Sequence, residues 1–222
     1  MAPFKNLVFD IGNVIVDIDY NLPITGFGKL SVANVSDILT YAQEYQLFHR
    51  YERGQITERQ FQDELRPFLR PEVTDEDILA AWNSILINYP AEKFELLNNL
   101  KERYRVYALS NINETHVRAI DAAVQKQLGV PSFSGFFHTA YYSNEMGHRK
   151  PEKEIYEFIA AKENLNPAET FFVDDLKENI EAARSLGWQA YHLPKPADLI
   201  PLLTELKIIW KHTSYFLGPH LP

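Results

Sequence analysis

Two apolar runs in this chain stop at carboxylates: LVF at residues 7–9 meets Asp10, and FFV at residues 171–173 meets Asp174 and Asp175. Short runs without polar alternation read as strands buried on both faces, the condition of a parallel sheet. Similar runs recur at Arg105 to Leu109, around Phe137 to Tyr142 and at Gln189 to His192, beside Asn6 to Phe9 and Thr170 to Val173. Helical patterns lie between them. Ile155, Phe158 and Ile159 share one face, with Pro151 suited to the first turn and Glu152 and Glu154 near the positive end of the helix dipole. A second helix spans Glu178 to Leu186, closed by Gly187 in a left-handed cap. Alternating strand and helix predict an α/β fold: a Rossmann-like parallel sheet covered on both faces.

Residues 21–90 break this alternation, offering helical patterns and no convincing strand. Thr57 and Gln60 form a capping box, with Phe61 and Leu65 one turn apart behind it. Ile78, Leu79, Trp82, Ile85 and Leu86 make a further apolar face, started by Thr74 or Asp75. The expected organisation is a core from residues 1–20 and 91–195, an inserted α-helical cap at 21–90 that covers a site, and a C-terminal extension at 196–222. Within that extension Leu199 to Trp210 suits an amphipathic helix, packing on the core or at a dimer contact. The chain is expected to be a monomer or homodimer.

With 22 Lys and Arg against 30 Asp and Glu, the net charge of -8 and the lack of a basic cluster argue against nucleic acid as a partner. The absence of cysteine rules out disulfides and thiolate metal sites. No apolar run approaches the roughly 20 residues of a membrane span. The N-terminal MAPFKNLVFD meets an acid too early for a signal peptide, so a soluble, cytoplasmic protein is expected.

Ligands of open parallel sheets bind beyond the carboxyl ends of the strands. Asp10, then Ser110 and Asn111, then Asp174 and Asp175 stand at three such ends. Adjacent aspartates near a third carboxylate repel one another unless a cation neutralises them. Magnesium answers this, taking about six oxygens from carboxylates, waters and a substrate phosphate; manganese fits the same oxygen site. Acids there also suit the first turn of a following helix, and it is their combination with Asp10 that favours a metal. Lys150, after the loop MGHRK, places an ammonium to neutralise both a nucleophile and a phosphate dianion. The Ser110 hydroxyl and the N–H groups after it suit a phosphate oxygen. Together these residues describe a phosphoryl-transfer site.

FDIGNV, LSN, RKP and FVDDLKENIEAA, in this order, resemble the four motifs of the haloacid dehalogenase-like hydrolase superfamily, and YERGQITERQF resembles its helical caps. The resemblance implies Asp10 as nucleophile, Ser110 and Lys150 as phosphate holders, Asp175 as a direct magnesium ligand and Asp174 beside it, with the backbone carbonyl of Gly12 also a ligand. The run DIGNVIVDID is similar to a glucose-1-phosphatase-like branch. Phosphatases of this superfamily usually carry a second aspartate where this chain has Gly12, which removes a general acid worth about 10² to 10⁴ in rate. Substrates with good leaving groups, such as sugar 1-phosphates, are therefore expected. Asp17 and Asp19 are the nearby acids weighed as replacements. His116, His138 and His148 are expected in structural or surface roles, while His49, Arg53, Trp82 and Asn83 are the cap residues weighed for specificity. The rival readings are a metal-free 2-haloacid dehalogenase, for which the Asp174 and Asp175 pair has no use, a phosphomutase, and a non-catalytic protein binding a phosphorylated ligand.

Overall fold

The computed structural model describes residues 4–32 and 34–209. Its strands are β1 (Asn6–Phe9), β2 (Asp17–Ile18), β3 (Leu86–Asn88), β4 (Arg105–Ser110), β5 (Thr139–Tyr142), β6 (Thr170–Asp174) and β7 (Gln189–His192). The insertion holds α1 (Asn21–Leu30), α2 (Val35–Glu44), α3 (Leu47–Glu52), α4 (Glu58–Leu65) and α5 (Asp75–Asn83). With the sheet go α6 (Ala91–Lys101), α7 (Glu114–Leu128), α8 (Ser143–Met146), α9 (Lys153–Lys162), α10 (Lys177–Ser185) and α11 (Leu199–Glu205).

Five strands form one parallel sheet in the order β5-β4-β1-β6-β7. The chain starts in the middle, builds outward through β4 and β5, and returns to the other side of β1 for β6 and β7. The order therefore reverses at β1, and a crevice opens beyond its carboxyl end. Phe9 lies in register with Ala108 on one side and Val173 on the other, so Asp10 comes beside Leu109 and Asp174. Both faces are buried. Leu7, Phe9, Val106 and Phe171 join Phe94, Leu97, Ile120 and Val124 of α6 and α7 on one face. Val8, Tyr107, Leu109 and Phe172 join Ile155, Tyr156 and Ile180 of α9 and α10 on the other. Two-sided burial is the reason the runs do not alternate.

The inserted helices have their own core, in which Ile38, Leu47, Phe61, Leu65 and Ile78 are fully buried. Thr57 and Thr74 each complete a capping box, with Gln60 and Asp77. A Cβ on Gly26 would lie 3.1 Å from that of Ala81, so glycine lets α1 approach α5 closely. The cap is fixed to the core at α3: Ser143 Oγ donates to the Glu52 carbonyl at 2.6 Å, the Tyr51 hydroxyl bonds Thr115 Oγ1, and Arg53 pairs with Glu152. Gly54, at φ +64°, lies so near the Asn144 carbonyl that no side chain fits there.

Three details differ from the sequence expectation. Residues 86–88 form a strand, antiparallel to Asp17–Ile18, so Leu86 leaves the apolar face of α5, which stops at Asn83. This ribbon ties the two crossings between core and insertion. Pro151 precedes helix α9 instead of opening it: Glu152 is the N-cap, and the preceding Lys150 backbone is held by Asn111. The C-terminal helix ends at Glu205, before a left-handed Lys207; Leu199, Leu203, Ile208 and Ile209 join the α6/α7 side of the core. Trp210 and the rest of the extension lie outside the described residues.

Candidate active site

Beyond Phe9 the chain turns sharply, with Asn13 N donating to Val16 O at 2.8 Å and Val16 N to Ile11 O at 2.9 Å. Asn13 takes the left-handed conformation at φ 52°, one that asparagine tolerates better than most residues. Its side chain accepts from Ile18 N at 3.2 Å and donates to Asp175 Oδ2 at 3.1 Å, joining this loop to the end of β6. Asp174 is fully buried, and its Oδ1 accepts from Leu176 N and Asn179 Nδ2, both at 2.8 Å.

Lys150 is buried between these loops. Its Nζ donates to Asp10 Oδ1 at 2.7 Å and to Asp174 Oδ2 at 2.6 Å. Asn111 brackets its backbone, accepting from Lys150 N at 2.7 Å and donating to Lys150 O at 2.9 Å. The Asn111 side chain is thus committed to positioning the lysine, and the backbone N–H after Ser110 is the group of this residue expected to meet phosphate. Ser110 is buried at the end of β4 and borders the same cavity as Asp10, Gly12 and Asp175.

One ligand oxygen from each of Asp10, Asp174 and Asp175 lies within 4.8 Å of the others. A single ammonium faces three carboxylates, so negative charge is in excess. Burial pushes the Asp10 carboxyl up to about 7; Lys150 opposes this and the charges of Asp174 and Asp175 reinforce it. Burial also raises Asp175. Desolvation works against the Lys150 charge, but Asp10 and Asp174 outweigh it and hold the ammonium protonated. The donor set is all hard oxygen, and Asn179 Oδ1 adds a buried acceptor without a partner among the described residues. Such a group fits a divalent cation of the magnesium type, which would remove the charge excess and lower the Asp10 pKa.

Asp17 pairs with Lys93 at 3.2 Å and accepts from Asn88, while Asp19 accepts from Asn21 N at 2.8 Å; neither borders the cavity. His138 Nδ1 accepts from Val106 N at 3.0 Å, and His148 lies half-buried near Glu152. His116 stacks on Trp82 and is held by Asn113 at Nδ1 and the Trp82 carbonyl at Nε2; burial lowers its pKa to about 4 and keeps it neutral. Among the cap residues weighed, His49 and Trp82 border the cavity, Arg53 is paired to Glu152, and Asn83 stands outside the lining. Residues that sequence reasoning did not single out are Asn13, Asn179, and the pair Arg149 and Glu52, joined at 3.0 Å between core and cap. Glu52 borders the cavity too, and burial raises its pKa.

The family model for haloacid dehalogenase-like hydrolases matches residues 4–187. The chain is 31% identical over 202 residues to D-ribitol-5-phosphate phosphatase of Bacteroides thetaiotaomicron, covering 91% of this chain and 98% of the relative. It is 27% identical to sesquiterpene phosphatase astK of Aspergillus oryzae, covering 92% and 95%. A solved HAD family enzyme of Bacteroides thetaiotaomicron, in complex with magnesium and inorganic phosphate, aligns with a TM-score of 0.75 and 35% identity over 85% of this chain and 93% of that one. With its four motifs gathered at the switch point of the sheet and the family model spanning most of its length, this chain belongs to the haloacid dehalogenase-like hydrolase family.

Proposed function

We propose that the protein is a magnesium-dependent phosphatase of a small phosphorylated metabolite, acting through an aspartyl-phosphate on Asp10. The observation that carries this reading is the meeting of Asp10, Asp174 and Asp175 within 4.8 Å around a buried Lys150. It is supported by relatives named as phosphatases and by a similar enzyme solved with magnesium and phosphate.

Asp10, Asp175 and the Gly12 carbonyl, with Asp174 beside them, would hold magnesium, which when bound would supply charge neutralisation between nucleophile and phosphate. The Asp10 carboxylate attacks phosphorus in line, forming a new O–P bond as the ester P–O bond breaks. Lys150 offsets charge on Asp10 and on the phosphoryl oxygens, and Ser110 with the N–H of Asn111 holds those oxygens. The leaving alkoxide takes its proton from water, since Gly12 has no acid to give. Water then attacks the acyl phosphate, restoring Asp10 and releasing phosphate. A haloacid dehalogenase would have no use for two further carboxylates beside its nucleophile.

The test is phosphate release from p-nitrophenyl phosphate with and without magnesium, for the native enzyme and Asp10→Asn. Activity that needs the metal and vanishes in the variant is expected. Full activity in Asp10→Asn would remove Asp10 as nucleophile.

A further inference from the structure

The site opens into a cavity of about 460 Å³, within the range usual for small-molecule sites. Its two ends differ in chemistry. Asp10, Ser110, Lys150 and Asp175 mark the reacting end, whereas Ile18, Ile24, Phe27, Ile38, Phe48 and Trp82 are among the residues forming the cap-side wall. These come from β2, α1, α2, α3 and α5, so every cap helix except α4 contributes an apolar side chain. Between residues 11 and 86 the polar side-chain groups of the lining are those of Tyr20, His49 and Glu52 and the indole N–H of Trp82, a buried donor without a partner among the described residues. Two of these already have partners: His49 Nδ1 is bonded to Gln46 Oε1 at 2.7 Å, and Glu52 to Arg149 at 3.0 Å. On the core side, both ring nitrogens of His116 are engaged.

A polyol or sugar phosphate would carry several hydroxyls into this space, and each hydroxyl left without a partner weakens binding. An apolar alcohol loses nothing there and gains by leaving water. Resting on the phosphatase reading above, we infer that the substrate is the monophosphate of a predominantly apolar alcohol, its phosphate at Asp10 and its carbon skeleton against the cap-side wall. The sugar 1-phosphate expected from the missing acid satisfies the leaving-group argument, but this wall gives its hydroxyls few partners. Substrate choice is then set by burial of carbon rather than by hydrogen bonds, and affinity should grow with chain length until the cavity is full.

The experiment is magnesium-dependent phosphate release from linear alkyl monophosphates of two to eight carbons, with ribitol 5-phosphate as a polyol comparator. All have primary alcohol leaving groups, so leaving-group chemistry is nearly constant across the set. The inference expects kcat/KM to rise about threefold to fourfold per added methylene and the longest alkyl ester to exceed the polyol at least about tenfold. Ile24→Asn, on a half-buried wall position, should flatten the slope. A flat series, a preference for the polyol, or an unchanged slope in the variant would overturn the inference and leave the phosphatase reading standing. Hydrolysis of none of these esters, nor of p-nitrophenyl phosphate, would overturn the phosphatase reading itself and this inference with it.

Discussion

At the carboxyl edge of the sheet the charged groups are fixed by directional hydrogen bonds: the Lys150 backbone by Asn111, the Asp174 side chain by Leu176 N, and the Asp175 side chain by that of Asn13 in the loop after β1. The cap-side wall is held differently, by apolar side chains of helices whose positions depend on their own core. Polar geometry at the edge tolerates little displacement, since catalysis depends on placement to within a fraction of an ångström. The wall can change its side chains while the helices stay packed. On the proposed reading the chemistry resides in the strand ends and the choice of substrate in the insertion.

Replacing a group at the edge should therefore do more than replacing one in the cap. Lys150→Met removes the one cation among three carboxylates; kcat should fall by more than about 10³, with roughly 3–5 kcal/mol of stability lost in metal-free protein. Added magnesium should restore part of that stability, because the ion binds the folded site. Equal Tm values with and without magnesium in this variant would break the electrostatic account. The complementary change is Gly12→Asp. A Cβ there would lie 2.8 Å from Ile18 Cδ1, the movable tip of a side chain, so the acid can be accommodated. Turnover of alkyl phosphates should rise, up to about 10²-fold or more, while turnover of p-nitrophenyl phosphate should change little, since its phenolate needs no proton donor. Equal gains on both would show that leaving-group protonation is not what Gly12 lacks.

Within the cap, Phe61→Ala empties the centre of its core and should cost about 3–5 kcal/mol, read by denaturant unfolding. If cap and core fold as separate units, the loss will appear in one of two transitions. The smallest effect concerns His116, where the cap rests on the core. Its pKa is about 4 in the folded state against an ordinary 6.5, so the unfolded chain binds the extra proton between those values. Stability is intact above pH 6.5, declines as the pH falls and has lost roughly 3 kcal/mol from this group below about pH 4. Unfolding free energies at pH 7 and 4.5 should converge less in the native protein than in His116→Gln, where this component is absent; that is, the native protein should lose more on acidification.

Much of the edge was legible in the sequence. The five parallel strands showed themselves because two-sided burial leaves apolar runs, and Asp10, Ser110, Lys150, Asp174 and Asp175 each stand beside such a run or before a helix. Thr57 with Gln60 announced a helix start for a purely local reason. The contact of the Asn111 side chain with Lys150 was not legible, because its partner is 39 residues away and found only through space. Strands β2 and β3 have two and three residues, too few for a periodicity to register. The apolar wall was hidden for another reason: Phe27, Ile38 and Trp82 have the spacing of core residues, and nothing local separates a side chain facing a cavity from one facing its neighbours.

The proposed reaction requires one ion and one phosphoryl group to meet at the end of β1. A crystal structure with magnesium and an aluminium fluoride mimic of the transferring phosphoryl group tests this directly. The predicted result is a single ion about 2.1 Å from oxygens of Asp10 and Asp175, with the fluoride centre in line with an Asp10 oxygen and within reach of Lys150 and Ser110. An ion bound elsewhere, or a mimic seated away from Asp10, would contradict it.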